Sequence, residues 1–305
     1  MTTHSPFRCS NSCMIQRGAN EVVLLDNGSN SGFGYLLNQT WKWNGTDWST
    51  AASVIDSTGP LPTRTNCVMS YDGTNVVLYG GQGDSSLRGV LQDTWLWNGT
   101  TWTQQTLAVN PFGRYLAEAC RLTTASSNVI MFGGYGGQGT MIKETWDWNG
   151  GTKTWTLEAP AASPSARVGH CMDGGASFLV MFGGQNTNQL LNDTWKYDGA
   201  TWTQLSPATS PSCRTGASMA YDQTRNVWVM FGGKSYYNYL PETWTFNGTT
   251  WTQQAPVHSP AGLVWSQMCW DSQTGKVLLF GGTSATDSYP SSQTWAWSGT
   301  DWAQL

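Results

Sequence analysis

The sequence predicts an all-β fold, namely a six-bladed β-propeller built from four-stranded antiparallel blades. The first observation is a unit that occurs six times, with Thr-Trp pairs that begin at residues 40, 94, 145, 194, 243 and 294. The second is a continuous apolar run that ends in Gly-Gly in five of the six units. The third is an alternating aromatic segment, followed by a turn and one more tryptophan. A period this regular indicates stacked repeats, whose sheets bury their faces by packing radially.

Each unit is predicted to contain four strands, labelled A to D, which the second unit illustrates. Strand A is the short run Val68–Tyr71, which ends at an Asp turn. Strand B, Val76–Tyr79, is apolar on both faces and should be buried between neighbouring sheets. Strand C, Thr94–Trp97, alternates in the manner of a strand with two different faces. The following Asn-Gly predicts a tight hairpin with a primed turn, after which Trp102 marks a brief, exposed strand D.

These residues also carry a family resemblance. An arginine before strand A, an apolar strand that ends in Gly-Gly, and a Trp or Tyr in the third strand are the pattern of the kelch repeat, and the sequence resembles the kelch family over nearly its whole length. The first unit departs from the pattern because Asp26 and Asn27 stand where the others have Gly-Gly. The resemblance implies the same propeller fold.

We expect a single domain over residues 1–305. The six blades are predicted at residues 8–50, 64–105, 114–158, 167–205, 214–254 and 263–305. Because the first unit begins with strand A and the last ends with strand D, the ring is predicted to close at a blade boundary. No terminal strand should be exchanged, and blades 1 and 6 should meet mainly by face packing.

The composition limits the classes of partner. Only 11% of the residues are charged and the net charge is -4, so no basic stripe favours nucleic acid. No apolar run approaches the length of a membrane span, and Met1 to Phe7 lack the pattern of a secretory signal. The low charge, a neutral polar surface and the Trp-rich repeats together suggest an extracellular or virion-surface protein. The sequence leaves the oligomeric state open.

An arginine precedes strand A in five of the six units: Arg8, Arg64, Arg114, Arg167 and Arg214. Because strand A lies next to the central axis, these side chains are predicted to ring one mouth of the channel, and the resemblance implies a place on the binding face. The alternative is that each arginine bonds backbone carbonyls or the acid of a neighbouring blade. The acids that precede the Thr-Trp pairs, Asp93, Glu144, Asp193 and Glu242, are predicted to serve blade packing.

No metal site or cofactor is predicted. The three histidines, His4, His170 and His258, are not spaced as metal ligands, and His170 is expected to pack against its blade. No phosphate loop and no serine-nucleophile signature is present. Four cysteines in or beside strand A are predicted to be buried free thiols: Cys67, Cys120, Cys171 and Cys269. Cys9 and Cys13 are close enough in sequence to pair in an oxidising environment.

The loops after Gly-Gly differ most between units. Tyr135 lies in this loop of the third unit, and Tyr236, Tyr237 and Tyr239 lie close together in this loop of the fifth unit. Aromatic side chains on loops above a rigid scaffold are typical of recognition surfaces. These tyrosines are therefore predicted to contact a ligand.

Three functions remain open at this point. The first is a non-enzymatic recognition or adhesion module that binds a glycan or a protein on a bacterial surface or in a phage virion. The second is an enzyme that acts on a sugar in the axial pocket, as a mutarotase or lyase of kelch-like type, and a charged cluster that breaks the repeat symmetry would favour it. The third is a structural assembly protein. Function cannot be assigned from the fold alone.

Overall fold

The computed structural model describes residues 13–18, 21–26, 39–51, 61–83, 89–137, 139–286 and 290–305. Blade 1 contains β1 to β4: Cys13–Gln16, Val22–Asp26, Gln39–Trp43 and Trp48–Thr50. Blade 2 contains β5 to β10: Arg64–Thr65, Val68–Tyr71, Val76–Tyr79, Gln82–Gly83, Thr94–Trp97 and Trp102–Gln105. Blade 3 contains β11 to β16: Arg114–Tyr115, Glu118–Arg121, Asn128–Phe132, Tyr135–Gly136, Thr145–Asn149 and Thr154–Glu158.

The last three blades contain four strands each. Blade 4 contains β17 to β20: Cys171–Gly174, Leu179–Phe182, Thr194–Tyr197 and Trp202–Leu205. Blade 5 contains β21 to β24: Thr215–Asp222, Val227–Lys234, Thr243–Phe246 and Trp251–Gln253. Blade 6 contains β25 to β28: Gln267–Asp271, Lys276–Phe280, Thr294–Trp297 and Trp302–Gln304.

Each blade is one four-stranded antiparallel sheet made of consecutive strands. In blades 2 and 3 the short pairs β5–β8 and β11–β14 form additional ribbons beside the sheet. The first strands of the six sheets, β1, β6, β12, β17, β21 and β25, contact one another in succession, and β25 contacts β1. The ring is therefore closed around these A strands. The fold prediction is confirmed, including closure without an exchanged terminal strand.

The antiparallel order gives the propeller two different ends. We call the end that carries the D-to-A linkers and the B-to-C loops the linker end, and the end that carries the A-to-B turns and the C-to-D hairpins the hairpin end. Both names are kept below.

The core lies between blades. The apolar side chains of the B strands are buried, as their continuous apolar pattern predicts, except for the half-buried Val227. At the closing boundary, Val22 and Leu24 of blade 1 share one apolar cluster with Leu278 and Phe280 of blade 6. Fully burying a side chain of this size stabilises a fold by roughly 1.5–3 kcal/mol. Face packing thus closes the ring, as predicted.

The double glycine is required where one blade touches the next. Gly80 and Gly81 adopt φ angles of 63° and 98°, which favour glycine. A Cβ on Gly80 would lie only 2.6 Å from the carbonyl oxygen of Arg114, in the following blade. The N–H of Gly81 donates to that same oxygen at 2.9 Å. The motif therefore permits a close backbone contact between blades.

A belt of tryptophan-to-threonine hydrogen bonds runs around the whole ring. In every blade the indole Nε1 of the D-strand tryptophan donates to the hydroxyl of the threonine in the preceding blade's Thr-Trp pair. Trp48 of blade 1 donates to Thr294 of blade 6 at 3.0 Å, which completes the circle. Five of these six tryptophans are buried, and Trp102 is partly buried. Strand D was predicted to be exposed, and its residues after the tryptophan are, but the neighbouring blade covers the tryptophan itself.

The C-to-D hairpin also differs from the prediction. Trp97 pairs with Trp102, so the loop holds four residues rather than two. Gly99 has a φ of 107°, whereas Asn98 is absent from the residues with positive φ. The Asn98 side-chain oxygen accepts the N–H groups of Thr100 and Thr101, both at 2.9 Å. The hairpin is therefore built on an Asx turn and not on a two-residue primed turn.

No helix in the described ranges is long and apolar enough to cross a membrane.

Candidate functional site

The arginines before strand A do not ring the channel mouth. Arg64, Arg114, Arg167 and Arg214 are at most 1% exposed, because each guanidinium points into its own blade. Arg8 lies outside the described residues. The predicted ligand-binding position of the four described arginines is thus wrong, since a ligand cannot reach their side chains.

Arg167 shows what these side chains do instead. Its guanidinium donates to the carbonyl oxygens of Ser165 and Gly183 and to both carboxylate oxygens of Asp193, the latter at 2.7 Å each. Asp193 also accepts the indole N–H of Trp195 at 2.7 Å. Burial alone would raise the pKa of Asp193, but the hydrogen bonds and charge of Arg167, together with Trp195, hold it below its usual value. The acid belongs to the same blade as the arginine, not to a neighbouring one.

The same network recurs in blades 2, 3 and 5, where the ion pairs are Arg64–Asp93, Arg114–Glu144 and Arg214–Glu242. Blade 6 has a neutral version. Leu263 replaces the arginine, Gln293 replaces the acid, and Trp295 donates to the Gln293 amide oxygen at 3.1 Å. Blade 6 thus lacks the arginine and the acid together, whereas the sequence of blade 1 keeps Arg8 with Gln39 in the place of the acid. In the four blades that contain both residues, the pair belongs to the structure of its own blade.

A cavity of about 360 Å³ lies on the propeller axis, and the A strands of all six blades line it. It opens at the hairpin end, where the A-to-B turn residues Gly18, Thr124, Gln223 and Ser272 border it. Trp265 lines the opposite end. The axis therefore holds a pocket of a size that suits a small molecule.

A chain of main-chain hydrogen bonds narrows the axis at the linker end. The N–H of Leu116 donates to the carbonyl oxygen of Asn66, Gly169 donates to Leu116, Gly216 to Gly169, and Trp265 to Gly216. All five residues have φ between 55° and 67°. A Cβ on Gly169 would lie 2.8 Å from the Trp265 ring, and one on Gly216 would lie 3.1 Å from it. The indole thus crosses from blade 6 over blades 4 and 5.

The wall of the cavity is nearly symmetric except in blades 3 and 4. At the equivalent position of strand A, defined by its pairing with strand B, five blades carry a buried methionine: Met14, Met69, Met172, Met219 and Met268. Blade 3 has Ala119 there, and its strand also brings Glu118 and Arg121 to the cavity. Blade 4 contributes Asp173. This is a charged cluster that breaks the repeat symmetry.

Both carboxyl groups are perturbed by their surroundings. Burial and the nearby charge of Asp173 raise the pKa of Glu118 to about 8. Burial also raises the pKa of Asp173, to about 6, although the N–H groups of Tyr221 and Gly174 bond its two oxygens at 2.8 Å and act in the opposite direction. Sequence reasoning missed both residues. The available signal was the strand alignment, because the corresponding positions of the other described blades are uncharged.

The predicted tyrosines all lie at the linker end but do not form one cluster. Tyr236 and Tyr237 are 58% and 90% exposed in the B-to-C loop of blade 5. The Tyr236 hydroxyl accepts the N–H of Leu190 in the blade 4 loop at 2.9 Å, which ties the two loops together. Tyr239 is partly buried, with the Lys234 ammonium 5.1 Å from its ring centre. In blade 3, Tyr135 stacks on Tyr115 at 5.6 Å.

The exposed large hydrophobic side chains of the described ranges come from several blades but lie at the same end of the propeller. All of them lie in B-to-C loops, in D-to-A linkers or at the last residues of D strands: Val109, Phe112, Leu157, Tyr236, Tyr237, Val257 and Leu305. Each of these segments belongs to the linker end. The hairpin end has no such residue among those described.

A family model described as the KLHDC2/KLHL20/DRC7 Kelch-repeats domain matches residues 119–297, which is more than half of the chain. The chain belongs to the kelch-repeat family. The match begins in strand A of blade 3 and ends in strand C of blade 6, so it covers most of the Arg, Gly-Gly and Trp pattern described above.

Two fungal proteins are similar to part of this kelch chain. Both carry the name tRNA wybutosine-synthesizing protein 4. The one from Aspergillus fumigatus is 30% identical over 146 residues, 45% of this chain and 14% of its own length. The one from Emericella nidulans is 29% identical over 119 residues, 37% of this chain and 11% of its own. The match thus spans about a seventh or less of these relatives.

Among solved structures, one titled "Structure of YjhT" superposes on the kelch chain with a TM-score of 0.73. The superposition covers 99% of this chain and 98% of that one, at 12% sequence identity. At this identity the likeness shows the propeller fold alone.

The remaining sequence predictions concern histidines and cysteines. His170 is buried and packs edge-on against Phe132, and burial, followed by the charge of Arg167, lowers its pKa to about 3. Cys120, Cys171 and Cys269 are buried free thiols, as predicted, and Cys67 is buried as well. Cys13 is also free, with its Sγ 3.3 Å from that of Cys67, while Cys9 lies outside the described residues. No group of three potential metal ligands occurs in the part of the chain that the structure describes.

Proposed function

We propose that this kelch propeller is a non-enzymatic recognition module that binds a protein partner at its linker end. The observation that carries the proposal is the location of the exposed large hydrophobic side chains, all of which lie at that end. Protein interfaces are enriched in such side chains, above all in aromatic ones at their centre. A rigid propeller holds these loops in place without a large entropic cost of ordering.

The chemistry of the linker end favours a protein over a glycan. Tyrosine faces suit both partners, because they stack on sugar rings as well as on side chains. The aliphatic residues Val109, Leu157 and Val257 are also exposed there, and they offer no hydrogen bonds to hydroxyl groups. Burying them against apolar protein surface gives a gain of roughly 25 cal/mol per Å².

Two further parts of the proposal concern setting. The low charged fraction and the neutral polar surface support a place outside the cytoplasm, on a bacterial surface or in a phage virion. The names of the fungal relatives refer to tRNA modification, but the net charge of -4 gives this propeller little attraction for RNA. We therefore carry over from those relatives the kelch scaffold alone.

The test compares partner capture by three forms of the protein. The first is the wild type, the second combines Tyr237→Ser with Val257→Ser at the linker end, and the third combines Ala200→Ser with Thr201→Ser in a hairpin at the opposite end. A protein captured by the wild type and the third form, but lost or weakened at least about tenfold by the second, is the expected result. Arg114 is unsuitable for such a test because its replacement would disturb the buried network.

A glycan array probed with the same three forms distinguishes a protein partner from a glycan partner. Glycan binding that disappears with the linker-end substitutions would move the assignment from protein to glycan. A partner that is lost only with the hairpin-end substitutions would contradict the proposed surface.

A second candidate is a small-ligand site on the axis, favoured by the charged cluster of Glu118, Arg121 and Asp173. It opens at the other end of the propeller and is developed below.

A further inference from the structure

The axial cavity is independent of the linker-end surface. It opens at the hairpin end, and Trp265 separates it from the linker end. A ligand in the cavity and a protein on the linker-end loops would therefore contact different residues.

The fold does not require the carboxyl groups in the cavity wall. Where blade 3 has Glu118, the matching residues of other blades include Val68 and Ser218. Where blade 4 has Asp173, they include Ala220. Both side chains are half-buried in the cavity wall. Removing a carboxylate from water, even in part, is costly unless it is compensated, so two such groups on one wall of a pocket point to a ligand rather than to packing.

The two carboxyl groups lack a positively charged partner. Neither forms an ion pair with a described residue. The Asp173 oxygens accept two main-chain N–H groups, whereas no described residue donates a hydrogen bond to the Glu118 carboxyl group. Arg121 is held elsewhere, since its Nε donates to the Ser126 carbonyl oxygen at 2.7 Å and its guanidinium lies 5.5 Å from the Tyr71 ring centre.

The rest of the lining suits an organic body. Tyr71 and Tyr221 contribute aromatic rings to the lining, and such rings suit cations as well as apolar groups. Ser218 and Ser266 bond each other at 3.0 Å, which leaves one hydroxyl proton free to be donated. The methionine side chains supply an adaptable apolar surface. Ala119 replaces a methionine beside Glu118, so the wall is less filled at that point.

We propose that the axial cavity binds a small organic cation, a compact molecule with one or two protonated amino groups, against Glu118 and Asp173. An ammonium group supplies both the positive charge and the N–H donors that these carboxyl groups lack. A neutral sugar would satisfy hydrogen bonds but would supply no positive charge to either carboxyl group.

The test uses 1,4-diaminobutane and its neutral counterpart 1,4-butanediol, with glucose as a sugar probe, in isothermal titration calorimetry near pH 8. The diamine is expected to bind the wild type at least about tenfold more tightly than the diol or glucose. Glu118→Gln should weaken diamine binding at least about tenfold, because it removes the charge and keeps the shape. Glu158→Gln, with the same change in charge on the outer strand of the same blade, should leave it unchanged.

Diol or glucose binding as tight as that of the diamine would overturn the proposal, as would the absence of diamine binding up to about 10 mM. So would equal diamine affinities for the wild type and Glu118→Gln. The comparison of diamine with diol on the wild type decides the matter even if a variant fails to fold. Failure here would leave the linker-end proposal untouched, because that test reads a different surface.

Discussion

Replacing the Arg167–Asp193 pair should separate a structural arginine from a ligand-binding one. Asp193→Gln leaves the guanidinium buried without its carboxylate, and breaking a buried pair in this way costs about 3–4 kcal/mol of unfolding free energy. Arg167→Leu should cost about 2–3 kcal/mol. It leaves the Gly183 carbonyl without its side-chain donor, but Asp193 keeps the Trp195 N–H and partial access to water.

The double variant copies the neutral arrangement that blade 6 already contains, with Leu263, Gln293 and Trp295. We therefore expect Arg167→Leu with Asp193→Gln to cost about 3 kcal/mol in total, well below the sum of the single changes. The difference is a coupling energy of about 2–4 kcal/mol, as expected for residues in one network. A double-mutant cycle is the appropriate measurement.

The assay is equilibrium unfolding in urea, followed by the fluorescence of the 19 tryptophans. Asp198→Asn serves as the control, because Asp198 is an exposed turn residue of the same blade and asparagine preserves its turn hydrogen bonds. A cost below about 1 kcal/mol for Asp193→Gln, or strict additivity in the double variant, would refute the structural role of the pair.

Three further predictions concern the belt and the buried titratable groups. Thr145→Val removes the acceptor of the buried Trp202 N–H and should lower the unfolding free energy by about 1–3 kcal/mol. Thr203→Val, on the exposed strand face, should change it little. Equal effects of the two substitutions in urea titrations would contradict a stabilising role for the tryptophan-to-threonine hydrogen bonds. Glu118 has a folded pKa of about 8, so the native state keeps a proton that the unfolded state releases, and stability is lost as pH rises from about 4.5 to 8. Glu118→Gln should remove that loss, so the melting temperature of the variant should rise relative to that of the wild type between pH 5 and pH 8. A difference in melting temperature that does not grow over this range would contradict the prediction. His170 has a folded pKa of about 3, so below about pH 6.5 the unfolded state binds a proton that the folded state does not, and stability falls as the pH is lowered. His170→Leu should make the melting temperature depend less on pH between pH 7 and pH 4. An unchanged pH dependence over this range would exclude His170 as the cause of the acid destabilisation.

The repeat pattern predicted the architecture because its signals are local. The Asn98-Gly99 turn acts within a few residues, so it reports strand order directly. Gly80-Gly81 marks the end of strand B by its recurrence, although the reason for it is a contact with Arg114 of the next blade. The consequences of contacts between blades were harder to predict. Strand D was expected to be exposed, and its sequence alone does not reveal that Thr40 of another blade accepts the indole N–H of Trp102.

The arginines show the same limitation. The position of Arg114 next to strand A was predicted, but the direction of its side chain depends on the Gly133 carbonyl and Glu144, which lie 19 and 30 residues further along the chain. Glu118 and Asp173 were overlooked because the comparison of repeats emphasised what the units share. Their place on the axis becomes evident only when the six A strands are set side by side.

The central claim is that partner recognition occurs at the linker end, and hydrogen–deuterium exchange on the complex with the captured partner tests it most directly. We predict slower exchange on partner binding in the D-to-A linkers at 106–113 and 255–262 and in the loop at 234–240. Exchange in the hairpins at 98–101, 198–201 and 247–250 should stay unchanged. Protection confined to those hairpins would contradict the account.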